Sequence, residues 1–458
     1  MDLEVFVTPE LGDASYLVAS NGEAAIVDPQ RDAWRFLAAA DRRGWRVRHV
    51  LETHVHNDYV SGAHEVRAAT GAAIVVPARG GYTFDHAPAD EGTKVRLGEL
   101  SLVARATPGH TPEHLAWEVI GADPARPEAV FSGGSLLVGS TGRTDLLGDS
   151  KTAELTPAQY RTLRRLAELP DATQVLPTHG AGSFCSAGPV ASGRTTTIGA
   201  ERRSNASFVA PSLAVFEEVA LGSLGRYPDY YAHMAPLNRA GVPVVGRLPA
   251  IAPLTADDVA SAAASGVRII DARSREAFAA AHIPGSLNIE LSSPLAGYVG
   301  WLLPFDSPIV LVAESAADLE EAALQLFRIG WSAIRGALSG GMDAWAESGR
   351  ELRSYRTLGI KDLRAEIAAG ERPHVLDVRQ PVEWRDGLVP GSDTTFVVDL
   401  PARLAQLVPG EELTVVCKSG QRSAIAASIL DGAGIPVRLV AEGGVPNWLA
   451  LDASPANR

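Results

Sequence analysis

The run Glu52-Thr53-His54-Val55-His56-Asn57-Asp58-Tyr59 places two imidazoles and a carboxylate at i, i+2 and i+4. It follows an apolar stretch, His49 to Leu51, that reads as a strand. In a loop, such spacing lets the three side chains converge on one metal ion. Two further strand ends deliver a histidine, Thr107-Pro108-Gly109-His110 and Leu176-Pro177-Thr178-His179-Gly180. Gly109 lets the backbone turn closely before His110. His54, His56, Asp58, His110 and His179 therefore form a candidate metal set. His64, His86 and His114 read as surface or supporting groups. A different chemistry is written at Thr414-Val415-Val416-Cys417-Lys418-Ser419-Gly420-Gln421-Arg422-Ser423, ahead of the helical run Ala424 to Leu430. A strand enters a short loop and leaves as a helix, so loop amides can curl around an anion with help from the helix N-terminus. Such a site favours a thiolate. Cys417 is the candidate nucleophile, with Lys418, Gly420 and Arg422 as its catalytic neighbours. Ser419, Gln421 and Ser423 complete a candidate substrate-binding loop. Gly420 permits the tight turn, and Arg422 either pins the loop to a carboxylate or meets the substrate.

Short alternating elements must carry these residues. Tyr16 to Ala19 and Ala24 to Val27 read as paired strands about Asn21-Gly22, and Asp28-Pro29 stops the second. Helices are expected over Arg31 to Ala40 and Gly62 to Ala69, with strands over Val47 to Leu51, Ala73 to Val76 and Leu115 to Val119. A helix is expected from Thr156 to Leu169 with Pro157 in its first turn, and Arg203 to Tyr231 reads as helical. This alternation predicts helices layered on sheets. Beyond a proline-containing bridge from Pro243 to Pro253, one pattern occurs twice. Its first copy holds Asp271-Ala272-Arg273 and His282-Ile283-Pro284-Gly285-Ser286; its second holds Asp377-Val378-Arg379 and Val389-Pro390-Gly391-Ser392. Glycine pairs precede tryptophan in both, Gly340-Gly341 before Trp345 and Gly443-Gly444 before Trp448. Each copy reads as a small doubly wound α/β domain. Ala313 stands at the cysteine position of the first copy, so that copy cannot carry sulfur and reads as a non-catalytic scaffold.

At 458 residues the chain is too long for a single core. A net charge of −13 argues against nucleic acid and anionic membrane as partners. Two cysteines, Cys185 and Cys417, make no disulfide framework and fit a reducing cytoplasm. Cys185 reads as a buried small hydrophobe. No transmembrane-length apolar run or signal peptide is apparent.

The first half resembles the metallo-beta-lactamase superfamily, whose signature His-x-His-x-Asp-His is met by His54, His56 and Asp58. Through Glu52-Thr53-His54, Pro108-Gly109-His110-Thr111 and Gly142-Arg143-Thr144-Asp145 it is similar to persulfide dioxygenases. That resemblance implies an αββα sandwich and one Fe(II) that serves oxidation of glutathione persulfide to sulfite. It places His54 and His110 on the iron and Arg143 near the glutathione end of the pocket. The second half resembles tandem rhodanese domains, which implies sulfane-sulfur transfer through a Cys417 persulfide, between thiosulfate or sulfite and a small thiol. The expected domains are residues 1–245, 252–352 and 356–458, the middle one inactive. Tyr59 replaces the last histidine of the signature, and Gly134 stands where an aspartate ligand belongs. The expectation is therefore an incomplete metal site, with Fe(II) or no cofactor and zinc disfavoured. Either Asp58, or His56 as a third nitrogen, substitutes, or this half binds metal weakly or not at all; the alternative function is a non-catalytic binding domain with sulfur carrier or transfer activity only at Cys417. Small thiols, persulfides and thiosulfate are the expected partners, and a homodimer through the N-terminal domain is a further expectation.

Overall fold

The computed structural model describes residues 1–188, 191–222, 224–292, 294–407 and 410–452. The chain divides into two compact units: residues 1–249 with 327–330, and residues 250–326 with 331–458.

The first unit is built on two sheets. Among the described residues, six strands run in the order Asp2–Thr8, Asp13–Ser20, Glu23–Val27, Arg46–Leu51, Ala73–Pro77, Ala87–Ala89. Six more run Thr196–Thr197, Gln174–Pro177, Ala129–Gly133, Leu115–Ile120, Leu100–Ala106, Lys94–Leu97. Alternate residues point to opposite faces of a strand. Tyr16, Val18, Ala25, Val27 and Leu51 of the first sheet accordingly meet Leu102, Trp117, Val119 and Phe131 of the second in one buried core. The opposite face, Leu17, Ala19, Ala24, Ile26 and Val50, is covered by the helices Trp34–Arg43 and Ala63–Thr70. The second sheet's outer face packs on Asp149–Leu166, Ile198–Ser204 and Leu213–Leu221. This is the expected αββα sandwich. Two elements differ from expectation. The helix thought to begin at Thr156 starts at Asp149, so Pro157 lies inside it. The stretch expected to be helical from Arg203 to Tyr231 holds short helices, broken at Ala210-Pro211-Ser212, because proline disfavours helix in the residue before it.

The second unit holds the repeated pattern. The first copy's sheet runs Pro253–Leu254, Ile334–Leu338, Ile309–Val312, Arg268–Asp271, Leu287–Asn288. The second runs Arg356–Gly359, Val437–Glu442, Leu413–Val416, His374–Asp377, Asp393–Thr394, the same order. Every pairing in both sheets is parallel. Parallel sheets need both faces covered, and the central strands Ile309–Val312 and Leu413–Val416 are buried at every residue, apolar but for Thr414. Asp271–Arg273 and Asp377–Arg379 close the same two-residue salt bridge in each copy, with Nη2–Oδ2 at 2.7 Å in both. No helix among the described residues is long and apolar enough to cross a membrane.

Candidate functional site

The metal candidates gather where the two sheets of the first unit expose strand ends. His54, His56 and Asp58 follow Arg46–Leu51, His110 follows Leu100–Ala106, and His179 follows Gln174–Pro177. All five residues are at most 1 % exposed. Three groups bring one ligand atom each within 4.8 Å of one another: His54, His110 and His179; Asp28, His54 and His56; and His56, Asp58 and His179.

The hydrogen bonds fix the tautomers. The Thr53 hydroxyl donates to Asp28 Oδ2 at 2.7 Å, so it can only accept at 2.8 Å from His54 Nδ1. That leaves the His54 Nε2 lone pair facing inward. His110 Nδ1 donates to the Arg143 carbonyl at 2.8 Å, and its Nε2 is buried without a hydrogen-bond partner. His179 Nδ1 donates to Asp13 at 2.8 Å, leaving its Nε2 3.3 Å from His54 Nε2. Two imidazole nitrogens at that distance require a proton or a cation between them. Orientation of each ring by a bond on its far nitrogen is how proteins present histidine to metals. Both Asp58 carboxylate oxygens are likewise buried without a hydrogen-bond partner, with Oδ2 3.3 Å from His179 as an ion pair. The donors are nitrogen-rich with two carboxylates, Asp28 and Asp58, a set that suits a divalent ion, iron or zinc.

The electrostatics agree. Burial pushes His110 down to about 3 and, with the neighbouring His56, holds His54 well below its ordinary value, so both are neutral. Burial also opposes charge on His179, but Asp58 and Asp13 outweigh it and push this imidazole up to about 10. His56 is raised against its own burial by Asp28 and Glu52. Positive charge is thus favoured at the point where the imidazoles meet.

In the second unit, Cys417 ends the strand Leu413–Val416 and is 1 % exposed. Its Sγ accepts from the Gly420 amide at 3.1 Å and the Ser419 amide at 3.5 Å. Gly420, at φ 93, caps the helix Gln421–Gly432. Arg422 takes the first of its two expected roles: its guanidinium grips both oxygens of Glu383, with Nη2–Oε1 at 2.9 Å. Lys418 and Ser419 are exposed, Gln421 is half-buried and donates to the Ser292 carbonyl at 3.3 Å, and Ser423 is buried. In the first copy Ala313 opens the matching loop, before the helix Ala316–Arg328.

The metallo-beta-lactamase superfamily model matches residues 9–179, and the rhodanese-like domain model matches residues 255–348 and 360–451. The chain is 35% identical over 186 residues to a hydroxyacylglutathione hydrolase of Cereibacter sphaeroides, across 39% of this chain and 67% of the relative. The chain belongs to the metallo-beta-lactamase superfamily. A hydroxyacylglutathione hydrolase of Methylococcus capsulatus is 36% identical over 182 residues, 39% of this chain and 66% of that one. The chain therefore spans about two thirds of the length of these curated relatives. Among solved structures, a metallo-beta-lactamase from Staphylococcus aureus subsp. aureus COL is 28% identical with a TM-score of 0.67, covering 74% of this chain and 98% of that one. The chain is thus a metallo-beta-lactamase-superfamily domain fused to rhodanese-like domains, an architecture that supports transferase-type activity in general.

The expectation of an incomplete metal site is overturned by the three convergent His/Asp groups. Gly134 lacks a carboxylate because the space is taken: a Cβ there would lie 2.3 Å from His110 Cδ2. The Gly134 amide instead donates to His114 Nε2 at 2.9 Å. Tyr59, in place of the signature histidine, is buried and stacks on His56 with ring centroids 4.4 Å apart. Arg143 is 3 % exposed, with its donors committed to Asp145 and to the carbonyls of Phe184 and Gly225. Its own carbonyl orients His110. Cys185 is fully buried, and burial pushes its thiol well up.

Sequence reasoning missed Asp28 and Asp13. Asp28 read only as a strand stop. It sits at φ 50, buried, and accepts from the Thr53 amide and hydroxyl, from Thr178 Oγ1 and from His56. A non-glycine residue at positive φ persists only where its surroundings hold it there. Missed too was Tyr298 of the first rhodanese-like copy, whose phenol burial pushes up to about 12 despite the neighbouring Arg422, with Cys417 also close enough to raise it.

Proposed function

We propose that this protein is a sulfur-handling enzyme in which Cys417 transfers sulfane sulfur and the N-terminal domain acts on a glutathione-linked persulfide as a persulfide dioxygenase. The observation that carries the first part is the Gly420 amide 3.1 Å from Cys417 Sγ at a helix N-terminus. Amides there favour thiolate and stabilise negative sulfur. The Cys417 thiolate attacks the sulfane sulfur of thiosulfate; the S–S bond breaks, and sulfite leaves with its electron pair. The resulting Cys417 persulfide is attacked at its outer sulfur by a small thiolate such as glutathione, which departs as a persulfide and regenerates the Cys417 thiolate. Ser419 and Gly420 amides hold the negative sulfur before and after each transfer, and Glu383 fixes Arg422 beside the loop.

In the first domain, His54, His110 and His179, whose ligand atoms converge, would hold a divalent ion, which for Fe(II) supplies the means to oxidise a persulfide with O₂. The chain's own residues orient the ligands: Thr53 turns His54, the Arg143 carbonyl turns His110 and Asp13 turns His179. The matched relatives are named for hydrolysis of a glutathione conjugate, which supports a glutathione-linked substrate. Their similarity also favours a second reading, metal-dependent hydrolysis of an acylglutathione thioester. Metal analysis with oxygen consumption on glutathione persulfide, beside thioester hydrolysis, separates the two: O₂ uptake with iron supports the dioxygenase reading, and thioester cleavage without O₂ uptake replaces it. Cys417→Ser is expected to abolish thiosulfate-dependent sulfur transfer; transfer at the parent rate would refute the assignment of Cys417.

A further inference from the structure

The first rhodanese-like copy, which lacks the cysteine, reaches into the loop of the second. Arg275 opens the helix Arg275–Ala280 of that first copy. Its Nη1 donates to the Ser419 carbonyl at 2.6 Å and to the Ala441 carbonyl at 3.2 Å. The other side of the guanidinium is anchored by Glu290, with Nε–Oε1 at 3.0 Å and Nη2–Oε2 at 2.7 Å, and the Arg275 amide donates to Glu290 Oε1 at 2.8 Å. Both side chains are largely buried, 12 % and 6 % exposed. The second copy makes room for the guanidinium: a Cβ at Gly420 would fall 1.7 Å from Arg275 Nη1.

The Ser419 carbonyl and the Gly420 amide belong to one peptide unit. In a trans peptide they point in opposite directions. A donor holding the carbonyl therefore aims the amide at the other end, and that amide is the one 3.1 Å from Cys417 Sγ. Without the donor, this peptide has little to resist a flip, since Gly420 at φ 93 adopts either sign of φ freely. A charged donor on the carbonyl also polarises the peptide and strengthens its N–H, as hydrogen bonds in series do. We propose that Arg275 of the cysteine-free copy is a positioning residue for Cys417, fixing and polarising the Ser419–Gly420 peptide so that it stabilises negative sulfur. The inference rests on the reading of Cys417 as the sulfur-transfer nucleophile. Arg422, which the sequence pointed to, cannot take this part because its guanidinium is gripped by Glu383.

The test is the rate of Cys417 alkylation by iodoacetamide against pH, followed on the Cys417 peptide by mass spectrometry in the full chain. It needs no sulfur donor, so it reports on Arg275 even if sulfur transfer were assigned wrongly. Arg275→Met is expected to move the alkylation profile to higher pH and to lower kcat of thiosulfate-dependent transfer by about threefold to tenfold, with a smaller change in KM. Arg275→Lys, which keeps a charged donor, is expected to recover part of both. Glu290→Gln, which leaves Arg275 in place but loosens its anchor, gives a readable variant if Arg275→Met does not fold, and is expected to shift the profile in the same direction. A profile for Arg275→Met, or in its absence for Glu290→Gln, that superimposes on the parent overturns the proposal. So does an Arg275→Lys variant that behaves as Arg275→Met.

Discussion

The metal pocket turns on a handful of atoms whose protons are already assigned by their neighbours. Thr53 has one proton and gives it to Asp28, so the inward face of His54 is a lone pair. Gly134 matters for the opposite reason, by occupying no space beside His110. Gly134→Asp is therefore expected to lower stability by about 2 kcal/mol through overpacking and to displace His110. Thermal melting and metal content of the purified variant check this; full metal occupancy with an unchanged melting temperature would contradict it. At the sulfur-transfer loop, burial works against charge on Glu383, yet Arg422 holds its pKa below the ordinary carboxylate value. A depressed carboxylate adds stability above its unfolded-state pKa, about 4.3, and loses it as pH falls through the lower folded value. Glu383→Gln is expected to cost about 1–3 kcal/mol at pH 7 by leaving Arg422 poorly paired. The gap between variant and parent should close in denaturation curves taken progressively below pH 4.

Elements carry these atoms to their places, and here some of the chain was legible and some was not. The hairpin about Asn21-Gly22 follows from local turn chemistry, and its strands pair as Tyr16 with Val27 through Ser20 with Glu23. The doubled pattern of the second half likewise marks two parallel sheets with one strand order. Asp28 was not legible, because its importance comes from contacts 25 and 150 residues away, with Thr53 and Thr178. The incomplete-site expectation failed for a related reason. Comparing positions one at a time registers Gly134 as a lost ligand, whereas packing shows His110 filling that space and three groups of His and Asp side chains converging beside it. The junction of strand, loop and helix at Cys417 bears its own test. Gly420→Ala places a side chain at φ 93 and against Arg275. A loss of about 1–3 kcal/mol is expected from the backbone strain alone. Slower Cys417 alkylation at pH 7 should accompany it; unaltered melting and alkylation would speak against the strain.

At the scale of the whole molecule, the buried negative charge around the histidines couples metal to folding. Asp28 and Asp58 are fully buried with their carboxyls held below the ordinary value, and the His54 and His110 imidazoles beside them are neutral. An ion that binds only the folded chain adds about 4 kcal/mol when present at roughly 1,000 times its Kd. Chelation is accordingly expected to lower the melting temperature of the chain, and Fe(II) or Zn(II) to restore it, as followed by calorimetry. A melting temperature indifferent to chelator and metal would remove the pocket from consideration as a metal centre.

The two rhodanese-like copies also carry a direction. Counting from Asp271 and Asp377, the position of Arg275 in the first copy is Pro381 in the second, which has no donor to send back. The charged donor on the Cys417 loop comes from the copy without sulfur chemistry and serves the copy with it. One copy is thus a pedestal and the other a tool, and taking the first away would remove the donor that holds the Ser419 carbonyl in place.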